Sequence, residues 1–412
     1  MASVSGLGDT AVGTVQSIKG GCMAEIVSAG RLRKSPYYRS TIAEGAESLL
    51  TYNRMLIPRG YGDREAEYWR LINGVSMWDV AAQRQVQLKG PDAARLAQVL
   101  CTRDLSVQEI NQGKYVALCD HRGVLINDPI ALRIDEDCYW LSIGNSDIWF
   151  WARCVAGERG FDVDVSEPDV SPLAVQGPKA DDVVAALFGD WVRELNYFWF
   201  GDAEIEGIPL KVARSGWSKQ GGFELYLLDG TKGDRLWQIV REAGKPFDIG
   251  PGYPNPSERT ESGLLNFGTD TDETTNPFEV RLERFVDLEV DDDVIGIRAL
   301  RRIKAEGVKR HQLGIVLGDR EESEDQSICL DIEKNGKTVG HMTHKAWSYR
   351  LKRMIGYALV SVEVLTGEVV EVCGWRPRPG HTCPIAIQDL NTCMANACRT
   401  GRPKRPALTL PR

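Results

Sequence analysis

The 412-residue chain has no apolar run near the roughly 20 residues that a membrane-spanning helix needs. Its net charge of −8 argues against a general nucleic-acid binder, because a phosphate backbone demands a basic surface. The N-terminus lacks a charged segment followed by a compact apolar core, so it does not resemble a secretory signal. Ten cysteines are present without any CxxC pair, which is typical of reduced, mostly buried thiols. We therefore expect a cytoplasmic protein with neither membrane nor nucleic acid as a partner.

Sequence signatures of metal and nucleotide sites are also missing. Neither GxGxxG after a first strand nor GxxxxGK[ST] occurs, which excludes the two commonest nucleotide-binding loops. The last four cysteines are ten, ten and five residues apart, a spacing that matches no zinc pattern: Cys373, Cys383, Cys393 and Cys398. We expect no bound metal.

The composition that is present describes a folded globular protein. Apolar residues make up 42% and charged residues 26%, and the length favours two or three domains. Apolar spacing predicts a helix over 63–77 that ends near Gly74, and alternation predicts a strand from Val80 through Leu88. Hairpins interspersed with helices favour an α+β fold over a doubly wound sheet.

Composition shifts along the chain predict four segments. Residues 1–30 read as a flexible extension, 31–290 as an α+β region, and 399–412 as a loose basic tail. Short strands dominate 300–398, where Asn335-Gly336 is the strongest hairpin turn of the chain. This region is predicted to be a small all-β domain, either a barrel or a sandwich.

One acid stands out in the segment RSGWSKQGGFELYL, residues 214–227. Glu224 lies between Phe223 and Leu225, both of which the pattern predicts to be buried. A buried carboxylate without a partner is costly, so Glu224 should face solvent at a sheet edge, pair with a nearby Arg, or meet other hydrogen-bond donors.

Five segments occur in one order along the chain: SPLAVQGPKA (171–180), SGWSKQGGFELYL (215–227), ERTESGLLNFGTD (258–270), NPFEV (276–280) and VIGIRAL (294–300). Together they resemble the folate-binding aminomethyltransferase family, whose founding member is the glycine-cleavage T-protein. The resemblance runs from about residue 50 to about residue 395. Within this family the chain is most similar to the dimethylsulfoniopropionate demethylase branch. The segments that carry this similarity are DVAAQRQVQLKGPDAARL, LINDP (125–129), EPDVSPLAVQGPKA, ARSGWSKQGGFELYL and ERTESGLLNFGTD.

The resemblance implies a three-lobed cloverleaf around a central folate channel. Residues 31–290 would form two folate-binding lobes, and a C-terminal all-β barrel would be the third lobe. It also implies methyl transfer from the sulfonium of a small molecule, dimethylsulfoniopropionate, to tetrahydrofolate, giving 3-methylthiopropionate and 5-methyltetrahydrofolate. A homo-oligomer is compatible with it.

Two other functions stay open. One is demethylation of a methoxylated or methylated-amine substrate on the same scaffold. The other is a folate-binding regulatory or iron–sulfur-assembly protein, although the KGCxxGQE-type motif of those relatives is missing here.

The resemblance also implies roles for individual residues. Glu224 would accept hydrogen bonds from the pterin, and Gly221 and Gly222 would let the backbone approach its flat ring. Gln176 and Tyr115 are expected to bind the cofactor as well.

On the donor side, Trp217 and Tyr197 would line a pocket for a cation, since cations are attracted to aromatic faces. Lys219 is a candidate for the donor carboxylate. Trp217 and Asn127 are expected to take part in catalysis.

T-proteins carry two acids where this chain has Asn127 and Asp128. A sulfonium leaves as a neutral thioether and needs no acid, so Asn127 would orient the donor; a simple hairpin turn is the alternative. Asp128, and the helix that carries Glu258, Arg259 and Glu261, are expected to be structural.

Overall fold

The computed structural model of the protein describes residues 30–319, 330–372 and 385–388. The predicted N-terminal extension, except its last residue, and the predicted tail lie outside these ranges. So do the four C-terminal cysteines, on which the prediction of no metal partly rests.

Short strands, hairpins and helices alternate over the first half of the chain. In order they are β1 (Arg33–Lys34), α1 (Tyr38–Ala43), β2 (Ser48–Tyr52), β3 (Met55–Gly60), α2 (Arg64–Asn73), β4 (Ser76–Asp79), β5 (Gln85–Lys89), α3 (Ala93–Leu100), β6 (Gly113–Tyr115), β7 (Leu118–Cys119), β8 (Leu125–Asn127), β9 (Ile130–Asp135), β10 (Cys138–Ser142), α4 (Ile148–Arg159), β11 (Asp164–Ser166) and β12 (Ser171–Gln176).

The second half continues this pattern and then becomes a run of strands. Its elements are α5 (Ala180–Phe188), α6 (Trp191–Glu194), β13 (Phe200–Ile205), β14 (Ile208–Ala213), β15 (Gly222–Leu227), α7 (Gly233–Gly244), β16 (Gly250–Gly252), α8 (Pro256–Ser262), α9 (Ile297–Glu306), β17 (Arg310–Gly318), β18 (Leu330–Lys334), β19 (Lys337–Ser348), β20 (Arg353–Ser361), β21 (Val369–Val372) and β22 (Ile385–Gln388).

The helix predicted over 63–77 is α2, which is shorter at its C-terminal end. Asp63 caps it by accepting a hydrogen bond from the Ala66 N–H, and Gly74 follows its last residue. The continuous strand predicted from Val80 through Leu88 is wrong. β4 and β5 belong to different sheets, so the chain turns between Asp79 and Gln85.

Two sheets dominate the α+β region. One has six strands in the order β13-β14-β15-β12-β4-β16, and the other has five in the order β11-β5-β10-β9-β6. Helices α5 and α7 contribute to the core on the outer face of the six-stranded sheet, whereas α3 and α4 do so for the five-stranded sheet. The inner faces meet in a smaller core that includes Trp140, Phe200 and Tyr226. Polar side chains that lie among these residues are therefore held between two sheets.

Strands β17 to β22 form a closed barrel in the order β17-β20-β19-β18-β21-β22. The Asn335-Gly336 turn joins β18 to β19, as predicted. The outer face of the barrel packs on α8, where the Tyr357 hydroxyl donates to the Arg259 and Thr260 carbonyls. The prediction of an α+β fold that ends in an all-β barrel lobe is confirmed.

Candidate functional site

Glu224 lies on the inner face of the six-stranded sheet and is 5% exposed. Its neighbours Phe223 and Leu225 point to the outer face and join the helix-covered core, as strand alternation requires. Ser215 Oγ and the Tyr226 hydroxyl both donate to Glu224 Oε2, and no described residue bonds Oε1. Burial raises the pKa of this carboxyl. Glu224 is therefore a buried acid with half of its hydrogen-bonding capacity unused.

A polar chain connects Glu224 to the opposite sheet. The Tyr226 hydroxyl interacts with Ser142 on β10, and the Gln85 amide on β5 donates to Ser142 Oγ over 3.0 Å. Gln85 Oε1 is buried and has no hydrogen-bond partner among the described residues. Buried polar groups are normally paired, so two unsatisfied acceptors on facing sheets fit a flat ligand that carries N–H donors. A pterin has this chemistry.

The second carboxylate of the site belongs to Asp128, which precedes β9. Its Oδ2 accepts a 2.6 Å hydrogen bond from the Tyr115 hydroxyl, and no described side chain bonds Oδ1. Burial, with a smaller contribution from the negative charge of Asp270, raises the pKa of Asp128 to about 7. An acid with a pKa near neutrality can accept or donate a proton under physiological conditions.

Strand geometry places Asp128 on the same side as the Glu224 network. Ser142 pairs with Ile130, and Asp128 comes two residues before Ile130. Two residues along an extended chain return to the same face, about 7 Å away. Asp128 therefore faces the space between the sheets.

Asn127 is fully buried. Its Oδ1 accepts from the Gly144 N–H and its Nδ2 donates to Ser146 Oγ, both over 2.9 Å. These bonds fix the loop after β10. The catalytic role of Asn127 stays a prediction, and the structure gives this amide a structural use.

Helix α8 contacts both the turn before Glu224, through Glu258, and the barrel, through Tyr357. Arg259 and Asp270 form a buried ion pair of 2.5 Å. The Arg259 guanidinium lies 5.6 Å from the centre of the Trp217 ring and 5.7 Å from that of Tyr357. Trp217 was predicted to contact a cationic donor. Its ring is in contact with the Arg259 guanidinium, whose charge Asp270 balances.

Gln176, predicted to bind the cofactor, is buried and bonds the protein itself. Its Nε2 donates to the carbonyls of Ser215 and Phe223, and its Oε1 accepts from Ser218 Oγ. Its amide therefore ties together the two ends of the turn that precedes Glu224.

The two glycines of that turn differ. Both have positive φ, +84° for Gly221 and +146° for Gly222, which favours glycine. A Cβ on Gly222 would lie 2.4 Å from the Val175 carbonyl oxygen, whereas a Cβ on Gly221 would meet open space. Position 222 thus requires glycine because the neighbouring strand leaves no room for a Cβ. Position 221 favours glycine because of the backbone conformation of the turn.

Tyr197 and Lys219 lie at the edges of the site. Tyr197 is 59% exposed, yet burial of its hydroxyl end and the charge of Glu224 raise its pKa to about 12. The Lys219 N–H donates to Glu258 Oε1, which the Gln220 amide also bonds. Tyr197 is therefore near Glu224, while the backbone of Lys219 is held by α8.

Sequence reasoning assigned no site role to Ser142, Gln85 or Ser215, and it treated Asp128 as structural. Their importance depends on which strands face each other. Local patterns in a single sequence do not reveal this long-range relationship. The Tyr115–Asp128 pair is more local, because 13 positions separate the two residues along the chain. Within the described ranges, no three His, Cys, Asp or Glu side chains cluster closely enough to hold a metal ion.

The chain matches two family models. Residues 37–290 match the GCVT N-terminal domain and residues 310–378 match the glycine cleavage T-protein C-terminal barrel domain. A dimethylsulfoniopropionate demethylase of Ruegeria pomeroyi is 41% identical over 296 residues, covering 72% of this chain and 81% of that protein. An aminomethyltransferase of Clostridium botulinum is 32% identical over 304 residues, covering 71% and 80%.

The fold has a solved counterpart as well. The glycine cleavage system aminomethyltransferase T from Bartonella henselae superposes with a TM-score of 0.72. The match covers 87% of this chain and 97% of the other, at 20% identity. At that identity the likeness establishes the shared fold.

Proposed function

Because the chain belongs to the glycine-cleavage T-protein family of folate-dependent aminomethyltransferases, we propose that it demethylates dimethylsulfoniopropionate. The methyl group passes from the sulfonium to tetrahydrofolate, and the products are 3-methylthiopropionate and 5-methyltetrahydrofolate. The predicted family, the predicted transferase activity and tetrahydrofolate as the one-carbon acceptor are confirmed by this membership. The methyl donor is the part of the function that is proposed here.

The observation that carries the choice of donor is the 41% identical relative, whose name is that of a dimethylsulfoniopropionate demethylase. Aminomethyltransferases are less similar, at 32% identity over a comparable length. Asn127 is compatible with the same choice, because it provides an amide where T-proteins have the first acid of the pair. A sulfonium retains the electron pair of the broken S–CH₃ bond and leaves as a neutral thioether, so it needs no proton.

Tetrahydrofolate supplies the nucleophilic nitrogen that accepts the methyl group. We assign Glu224 Oε1 and Gln85 Oε1 to binding of the pterin, since both are acceptors without partners. Asp128 Oδ1 takes up the proton that the transfer releases, because its raised pKa of about 7 suits proton acceptance near neutral pH. Orientation between the sheets can supply roughly 7–11 kcal/mol of the barrier.

One structural observation favours the alternative donor class. Asp128 in its protonated form could donate a proton to an alkoxide or amine as it leaves, which a methoxylated or methylated-amine substrate requires. The same side chain could therefore serve either reaction. It would begin ionised with a sulfonium donor and protonated with a methoxylated or methylated-amine donor.

A donor panel separates the two. The purified protein is incubated anaerobically with tetrahydrofolate and, in turn, dimethylsulfoniopropionate, dimethylglycine and a methoxyaromatic acid, and 5-methyltetrahydrofolate is quantified by mass spectrometry. We expect product from the sulfonium at a kcat/KM at least 100-fold above that of the others, on the order of a 3 kcal/mol preference. Preferential turnover of dimethylglycine or the methoxyaromatic acid would contradict the sulfonium donor and support the alternative donor class.

The small-molecule substrate follows from the family, whereas the homo-oligomer and the cytoplasmic location remain predictions. None of the helices in the described part of the chain is both long and apolar enough to cross a membrane.

A further inference from the structure

The Ser215–Gly222 turn wraps around the side chain of Gln176. Gln176 ends β12, pairs with Gly222 on β15 and is 0% exposed. Its Nε2 lies 3.0 Å from the Ser215 carbonyl oxygen and 3.2 Å from that of Phe223. Its Oε1 accepts a 2.8 Å hydrogen bond from Ser218 Oγ. One amide thus holds the start, the middle and the end of the turn.

Two glycines leave room for this amide. A Cβ on Gly216 would lie 2.1 Å from Gln176 Nε2, and a Cβ on Gly222 would lie 2.6 Å from the same atom. Both glycines also have positive φ, near +148° and +146°. The spacing of Gly216 and Gly222 is therefore explained by close packing against Gln176, independently of any ligand.

The turn matters because Ser215 also bonds Glu224. Ser215 Oγ donates to Glu224 Oε2, so the position of Ser215 decides how that carboxylate is oriented. Phe223, whose carbonyl Gln176 also holds, is the residue directly before Glu224. Gln176 is thus linked to Glu224 by two routes, one through the Ser215 side chain and one through the backbone.

We propose that Gln176 is a positioning residue of the folate site, which acts through Ser215 to keep Glu224 Oε1 directed at the cofactor. This inference rests on the proposed function, because it requires that Glu224 binds folate. It replaces the direct contact between Gln176 and the cofactor that the sequence predicted.

The groups around Glu224 make its ionisation sensitive to Ser215. The titratable groups that interact with it are Tyr226 on its own strand and Tyr197 in the loop before β13, and both have pKa values raised by burial and by the charge of Glu224. Neither is a cation. The hydrogen bond from Ser215 is the largest contribution that lowers the raised pKa of Glu224, ahead of the one from Tyr226. Loosening Ser215 should therefore favour the protonated form of Glu224.

The test uses Gln176→Met, which keeps the volume and removes the amide. Tetrahydrofolate binding is measured by anaerobic titration calorimetry from pH 5.5 to 8.5 with the full-length protein. We expect the affinity at pH 7 to fall about tenfold and the pH midpoint of binding to rise by about one unit. Ser215→Ala should give a similar shift, and the double variant should add little to either single change.

Gln108→Met is the matched control. Gln108 is 1% exposed and its Nε2 also clamps two carbonyls, those of Gln112 and Ala131, but it has no bond to the Glu224 network. A comparable loss of thermal stability is expected without a shift of the pH midpoint. An unshifted midpoint in Gln176→Met, with wild-type binding intact, would overturn the positioning role alone. Wild-type protein that binds no tetrahydrofolate would overturn the proposed function, and this inference with it.

Discussion

The hydroxyl of Tyr115 donates a 2.6 Å hydrogen bond to Asp128, and Tyr115 pairs with Ile130 on the inner side of the five-stranded sheet, as Ser142 does. Each of the two carboxylates, Asp128 and Glu224, has one oxygen bonded by a tyrosine hydroxyl and one oxygen without a side-chain partner among the described residues. The site is therefore built from two half-satisfied acids on facing sheets. We assign cofactor binding to Glu224 and proton transfer to Asp128.

Replacing Asp128 with asparagine should raise stability at high pH and lower activity. In the folded protein its pKa is about 7, against an ordinary 3.8. Between pH 4 and pH 7 the Asp128 carboxyl is therefore protonated in the native state and ionised in the unfolded chain. Wild-type stability must therefore fall as pH rises from 4 to 7. Asp128→Asn should remove that loss, giving a gain of about 2 kcal/mol at pH 8, while kcat drops by about 100-fold. Urea unfolding at pH 5 and pH 8 measures the first effect.

A second buried aspartate serves as the control for this variant. Asp79 also has a pKa raised by burial, to about 6, but its carboxylate bonds Ser35 and the Ala81 N–H outside the site. Asp79→Asn should change the pH dependence of stability and leave kcat near the wild-type value. Loss of activity in both variants to the same degree would remove the catalytic assignment of Asp128.

Replacing Glu224 tests the binding of the cofactor. Glu224→Gln should weaken tetrahydrofolate binding by about 100-fold, since a charge-assisted pair is lost, and should barely change the melting temperature. Because burial raises the pKa of Glu224, wild-type affinity should weaken as the pH falls through that raised value, whereas the variant should show no such dependence. Calorimetric titration across pH gives both results. A wild-type affinity independent of pH would contradict the role of the ionised carboxylate.

Much of the fold was predictable from local patterns. The helix α2 with its Asp63 cap, the Asn335-Gly336 turn and the barrel strands all have short-range signals in the chain. The strand across Val80–Leu88 was mispredicted because alternation continues through a turn between two sheets.

The site was predicted less completely for a related reason. Asn127 and Asp128 are adjacent, and which of them faces the site depends on strand register, where a shift of one residue exchanges the faces. Gln176 was expected to bind the cofactor because its segment resembles the family. Only the folded turn shows that its amide bonds Ser215 and Phe223.

The buried ion pair of Arg259 and Asp270 should be essential to the fold. Asp270→Asn leaves the Arg259 charge buried beside Trp217 and Tyr357, so we expect a loss of about 3–5 kcal/mol in unfolding free energy. The double variant Arg259→Met/Asp270→Leu should recover part of the stability, because no charge is left unpaired. Urea denaturation of the single and double variants measures this. A double variant less stable than the single one would show that the pair is not the main source of the loss.

Tyr357 tests how the barrel supports the site. Its hydroxyl donates to the carbonyls of Arg259 and Thr260, over 2.9 Å and 3.0 Å. Tyr357→Phe should cost about 1–2 kcal/mol of stability and, by loosening α8 under Trp217, lower kcat several-fold. Tyr68→Phe is a suitable control, because it removes a 2.7 Å bond to Glu261 on the same helix without touching Arg259. Equal effects of both variants on kcat would assign the change to general destabilisation of α8.

We propose that a methyl group moves intact from the sulfonium of dimethylsulfoniopropionate to tetrahydrofolate. The most direct measurement supplies dimethylsulfoniopropionate with both S-methyl groups fully deuterated and follows both products by mass spectrometry. We expect 5-methyltetrahydrofolate that carries three deuterium atoms, formed in equal amount with 3-methylthiopropionate that retains one labelled methyl group. Unlabelled methyltetrahydrofolate, or thioether formed without any methylated folate, would contradict it.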